Sequence, residues 1–222
     1  MTFRSPIFEL SDQYVEASAL LSPMACTYLG NGINQDKWDD LSLAGAEKGA
    51  ALVREYLTKL AELTPIDNVD RIAKKVMQER LEASLLLHDT EEEHLIWSVL
   101  SSPPTNVRGI FELMPLNNDQ DFANVTTRLA TVGSVFDGWV STISTLAAQG
   151  KTTARRQVEG VIDSLNGHAN GGYVSMAKRF DPDGKYPELH VQAVTAQDAC
   201  KKLAQYLKDE YLPLANPVDA VG

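Results

Sequence analysis

The chain has 222 residues, a hydrophobic fraction of 44% and a formal net charge of −10. That is enough apolar content to fill a real core and too much for disorder. The acidic surface repels phosphate backbones and anionic bilayers, so neither nucleic acid nor a membrane is an expected partner, and no window approaches the roughly 18 uninterrupted apolar residues of a membrane span.

Near the N-terminus Ser5-Pro6 reads as a helix cap followed by proline at the first helical position. Glu9 and Asp12 there interrupt the apolar core that a signal peptide needs, which points to a cytoplasmic protein. The first helix is predicted to reach Leu21. Ser22-Pro23 then opens a short helix that Gly30 stops, since glycine adopts the left-handed cap conformation cheaply. Residues 31–41 form a polar loop in which Trp38 pins the chain to the body. Ser42 caps a third helix whose stripe of Leu43, Ala46, Ala50, Val53, Leu57 and Leu60 faces inward. Asp67 caps a fourth, with Ile72, Val76, Met77 and Leu81 on its core side, and residues 89–94 read as a solvated break.

The central stretch Ser101–Pro115 combines a rigid Pro103-Pro104 start with Val107, Ile110, Phe111 and Met114 on one face of a short helix. It is predicted to be a buried crosspiece, with Arg108 inside the apolar run. A helix restarts at Asn118–Asp121 and runs to Val132, where Gly133 or Gly138 is placed to bend the next one. Thr152 and Thr153 cap a helix through Ile162, residues 166–172 read as the least structured part, and Thr195 with Asp198 approximates a capping box for the last helix. These signals predict an all-α protein, an irregular single-domain bundle of about eight to ten helices, with room for a sub-boundary near residues 89–104.

No motif carries catalysis. His88 and His94 are too widely spaced for a helical zinc pair, and the Asp181-Pro182-Asp183-Gly184 turn lacks the closing glutamate of a calcium loop. Cys26 and Cys200 are far apart and sit among apolar neighbours, so they are expected as two buried free thiols. The polar groups that stand out are Arg155, Arg156 and Gln157 at a helix start, together with Arg108. Arginines at a helix N-terminus oppose the dipole, so they are expected to meet a carboxylate, within the fold, on a substrate or on an adjoining domain.

Several stretches together resemble the N-terminal part of a bacterial family catalogued as domain of unknown function 885. They are Leu21-Ser22-Pro23, Ala25–Gly30, Trp38–Ser42, Met77 with Glu79-Arg80-Leu81, Ser102-Pro103, Val107-Arg108, Phe111–Pro115, Arg128-Leu129, Gly150 and Ala154–Val158. The resemblance implies a helical zinc metallopeptidase-like protein whose metal site, a His-Glu pair followed by further histidines and a later glutamate, lies in a C-terminal half. Such a site polarises a carbonyl and activates water. This chain contains no His-Glu pair. It stops at Pro217–Gly222, where members resembling it continue, so it is expected to be a fragment, natural or man-made, that lacks the metal-binding half. No catalytic or metal residue is carried over, and zinc is expected only in the longer parent. The expected partners are that missing half and a peptide-like substrate, and the expected role is an inactive cleft wall or lid. The alternative is a non-enzymatic helical scaffold or interaction module.

Overall fold

The computed structural model describes residues 5–219, so Ala220–Gly222, the end of the stretch at which the family resemblance expects continuation, lie outside the described residues. Those residues form nine α-helices with short 3-10 and π turns, and no strand beyond one isolated bridge. The expected all-α architecture is therefore what the structure shows. Within the described residues the chain divides into two units. One takes the described residues up to Ser22 together with Leu43–Glu93, the other Pro23–Ser42 together with the described residues from His94 onward.

The smaller unit consists of α1 (Pro6–Leu21), α3 (Leu43–Glu62) and α4 (Asn68–Asp89). Ser5 caps α1 by accepting from the Phe8 amide at 3.3 Å, and its hydroxyl donates to Asp70. Asp70 is buried and also accepts from the Ile66 amide at 3.1 Å, so one carboxylate ties the start of α1 to the turn before α4. Asp67 caps α4 through the Asp70 amide at 2.8 Å, as predicted. Ile7, Leu10, Val53, Tyr56, Leu60 and Leu81 fill the core. Ile72 and Val76 do not join it. They are 51% and 56% exposed, because α4 turns the side bearing Leu81, Met77 and Ala73 inward and leaves a second apolar row facing water.

The larger unit is arranged around α6 (Asp119–Ala148), 30 residues without a break. Neither Gly133 nor Gly138 interrupts it. Each lies beside a packed neighbour instead: a Cβ at Gly133 would make ordinary contact with that of Ala199 at 3.7 Å, and one at Gly138 with the Ser42 amide at 3.7 Å. Helix α9 (Pro187–Tyr206) packs along α6. It begins earlier than predicted, since Pro187 occupies the first turn and Thr195 lies in mid-helix with its hydroxyl turned back to the Val191 carbonyl. Helix α7 (Arg155–Gly167) extends beyond Ile162. It runs through a π turn at His168–Gly172 into α8 (Tyr173–Phe180), so the glycine-rich segment is a helical kink at Gly171 (φ +106°) and no open loop. The predicted crosspiece is present as α5 (Pro103–Gly109) with a following 3-10 turn, and Val107, Ile110, Phe111 and Met114 are buried.

In the middle of α6 the side chain of Arg128 is completely buried. Its Nε donates to the Lys37 carbonyl at 2.9 Å, Nη1 to the Thr27 hydroxyl at 2.8 Å, and Nη2 to the carbonyls of Pro23 at 3.1 Å and Asn34 at 3.4 Å. These acceptors belong to α2 (Pro23–Tyr28) and the loop after it. Trp38 closes the arrangement: its indole donates to the Arg128 carbonyl and the Thr131 hydroxyl, both at 3.1 Å, and its ring lies 5.2 Å from the guanidinium. The Met24 amide donates to Asp39 at 2.8 Å, which caps α2 from across the loop. Burial pulls the arginine down to about 10, with Asp39 and Asp36 opposing, so it stays charged at neutral pH.

Replacing Arg128 with Met keeps apolar volume but strands several backbone carbonyls. A loss of about 3–5 kcal/mol in unfolding free energy is expected by urea denaturation, since each unsatisfied buried acceptor costs about 1–3 kcal/mol. An effect below about 1 kcal/mol would mean that water replaces the guanidinium at little cost.

Candidate functional site

Helix α7 begins without a side-chain cap. Ala154 occupies the capping position, and the Arg155 amide donates to the Asn216 carbonyl at 2.8 Å while the Asn216 amide donates to the Thr153 carbonyl at 3.0 Å. Thr153 is therefore not the predicted cap. It is buried, its hydroxyl donates to the Leu95 carbonyl at 2.8 Å and its amide donates to the Tyr211 hydroxyl at 3.2 Å. Tyr211 stacks on Trp97, which packs against Trp139, so the start of α7 rests on an aromatic column. On this anchored base Arg155 and Arg156 are exposed and Gln157 is half-buried. Neither arginine has an ion pair among the described residues. Two cations at the positive end of a helix dipole, held on a rigid start, can receive a carboxylate.

Arg108 sits elsewhere and is engaged. It donates to Glu112 at 2.9 Å, and Arg179 donates to both oxygens of the same carboxylate at 2.6 and 2.7 Å. Burial opposes ionisation of Glu112, but the donations from Arg179 and Arg108 outweigh it and hold the carboxyl below its usual range. The Arg108 guanidinium also lies 5.5 Å from the ring of Tyr173. Tyr173 is fully buried and its hydroxyl makes no hydrogen bond, although the Cys200 thiol lies beside it. Burial pushes that thiol up to about 12, so Cys200 is protonated at neutral pH and is no nucleophile. Both cysteines are free and buried, as expected. Among the described residues no hydrogen bond or ion pair joins Arg108 to Arg155, Arg156 or Gln157.

His88, His190 and His168 each have neighbours of their own. His88 uses both ring nitrogens in opposite directions, Nε2 toward Glu47 and Nδ1 toward Glu93, each at 3.0 Å. Arg54 holds Glu47 at 2.8 Å and Asp89 at 3.2 Å. His190 donates to Asp181 at 3.0 Å; that carboxylate also accepts from the amides of Lys185 and Tyr186, both at 2.9 Å. His168 lies in the π turn, with burial and then Arg108 lowering its basicity. Among the described residues no group of three or more histidine, cysteine, aspartate or glutamate side chains converges to hold a metal ion. The donor set does not fit the zinc that the family resemblance implies, and no step is assigned through it. Also among the described residues, no helix is long and apolar enough to cross a membrane.

Sequence reasoning missed the partners that lie far away along the chain. Glu47 is 41 residues from His88, and Arg179 is 67 from Glu112, so no local spacing signals either pair. It also missed a groove of about 550 Å³ between α6 and α9, whose polar lining includes Asp137, Asp198, Lys202 and Tyr206.

The fold and these clusters define an all-helical protein with an arginine-centred core and an open cationic helix start. The family model described as "Bacterial protein of unknown function (DUF885)" matches residues 23–222, and the chain belongs to that family. Comparison with the curated proteins finds no match.

His88 generates a pH prediction. Burial lowers its basicity, but the bonds to Glu93 and Glu47 win and leave its folded-state affinity for protons raised above the ordinary imidazole value of 6.5. Its stabilising contribution is thus complete below 6.5 and is lost as pH rises through the folded value. Chemical denaturation between pH 5.5 and 8.5 should show the wild type losing stability relative to His88→Gln over that window. Parallel curves would contradict the two-carboxylate arrangement.

Proposed function

We propose that this chain forms a cleft wall or lid of a metallopeptidase-like hydrolase and does not itself break the bond. The observation that supports this reading is the Arg155–Arg156 pair, exposed at an anchored helix start inside the family-matched region and without an ion pair among the described residues. Two arginines in the first turn of a helix oppose its dipole, and an incoming carboxylate relieves that. A peptide's terminal carboxylate, or an acidic side chain of an adjoining domain, has the required charge and planar geometry. Gln157, half-buried one residue further on, offers an amide that can orient the same group. Catalytic zinc, in this reading, belongs to residues outside this chain. The scaffold or interaction-module reading draws on a separate observation, the outward apolar row of α4.

Peptide binding tests the role of the pair. A peptide with a free C-terminal carboxylate should bind about three- to ten-fold more weakly to Arg155→Ala/Arg156→Ala than to the wild type, and its amidated form should not distinguish the two proteins. Equal binding in all four combinations overturns the carboxylate role. Zinc-dependent peptide hydrolysis by the purified chain alone would falsify the non-catalytic assignment.

A further inference from the structure

Helix α4 carries a second apolar row that its own unit does not use. Val69, Ile72, Val76, Glu79, Ala83 and Leu86 follow one another at spacings of three, four, three, four and three residues. This alternation is the seam pattern of a two-helix coil. Val69, Ile72, Val76 and Leu86 are 63%, 51%, 56% and 64% exposed. The opposite side of α4, with Leu81 and the partly buried Ala73, Met77 and Leu85, already fills the core. Four large apolar side chains in register along one helix are unusual where nothing covers them.

We propose that this row pairs antiparallel with the same helix of a second copy of the chain. A two-fold axis between Met77 and Gln78 sets Val69 against the partner's Leu86, Ile72 against the partner's Ala83 and Val76 against the partner's Glu79. The flanking charges choose the occupant and the direction. Lys75 is exposed and has no ion pair among the described residues; Glu82 is exposed and accepts from the Gln78 side-chain amide at 2.8 Å. In the antiparallel arrangement Lys75 faces the partner's Glu82, and Glu82 faces the partner's Lys75, so one contact yields two opposite-charge pairs. A parallel arrangement would instead set Lys75 against the partner's Arg80 and Glu79 against the partner's Glu79, a repulsion in each case. Glu79 itself is paired with Arg80 of its own chain, which offsets its charge at the seam. The surface is self-complementary in one direction only. This pairing gives the interaction-module reading a partner, and its failure leaves the peptide test on α7 untouched.

Sedimentation of the purified chain over a concentration series tests the pairing. The wild type should self-associate, Val76→Glu should weaken association at least ten-fold, and Lys75→Glu and Glu82→Lys should each weaken it several-fold. The double variant Lys75→Glu/Glu82→Lys should recover wild-type association, because it restores opposite charges across the axis. Each substituted position is exposed, so helical circular dichroism should stay unchanged. Mild oxidation of a mixture of Ile72→Cys and Ala83→Cys chains should give the mixed disulfide, since native Cys26 and Cys200 are buried. A monomer at every concentration, association indifferent to Val76→Glu, a double variant no better than the single ones, or a preferred 72–72 crosslink would each overturn the proposal.

Discussion

A charged guanidinium in the interior of a long helix needs acceptors, and in the larger unit Arg128 draws them from backbone that has no regular structure of its own. The carbonyls of Pro23, Asn34 and Lys37 and the hydroxyl of Thr27 converge on it. In doing so the loop after α2 acquires a fixed course over α6. Trp38 and Asp39 then fall where they close the indole bond and cap α2. An apolar residue at position 128 could fill the same volume but could not tell that loop where to go. The cost of burying the charge is met by direct bonds and by the nearby carboxylates, which keep the group protonated.

How much of this was legible in the sequence follows from the range of each interaction. Caps at Ser5 and Asp67 could be read because donor and acceptor lie three residues apart. The apolar face of Val107, Ile110, Phe111 and Met114 could be read because periodicity within one short helix decides it. Gly133 and Gly138 misled because a glycine in a sequence does not say whether it breaks a helix or admits a neighbour. Here Ala199 and the Leu41–Ser42 backbone are the neighbours, and both come from distant segments. Thr195 and Asp198 imitated a cap because the real start of α9 depends on Asp181 gathering the amides of Lys185 and Tyr186. Helical spacing puts Ile72 and Val76 in an apolar row without saying which of two rows on α4 meets the core.

The candidate site divides in the same way. Arg108 and the Arg155–Gln157 cluster were visible as charges in unusual positions, yet their fates differ for reasons outside their own helices. Glu112 comes within reach of Arg108 one turn along and of Arg179 from α8, so that cation is neutralised inside the unit. No carboxylate approaches Arg155 or Arg156 among the described residues, because the segment beside them, around Asn216, contributes its backbone to the start of α7. In a chain of net charge −10 these two residues make a local reversal of sign. Long-range attraction for an anion is weak around such a molecule, so selection for a carboxylate rests on short-range geometry.

The bridge between Ala154 and Asn216 joins positions 62 residues apart, and everything from α7 to the last 3-10 turn lies between them. The two segments that meet at this bridge act as a buckle on a long belt. Fastening a belt of that length costs on the order of a few kcal/mol of chain entropy, which the helices inside it recover only after they have packed together. The finished N-terminal turn of α7 is thus conditional on the packing of the helices between residues 154 and 216, because the carbonyl that completes it comes from the far end of the belt.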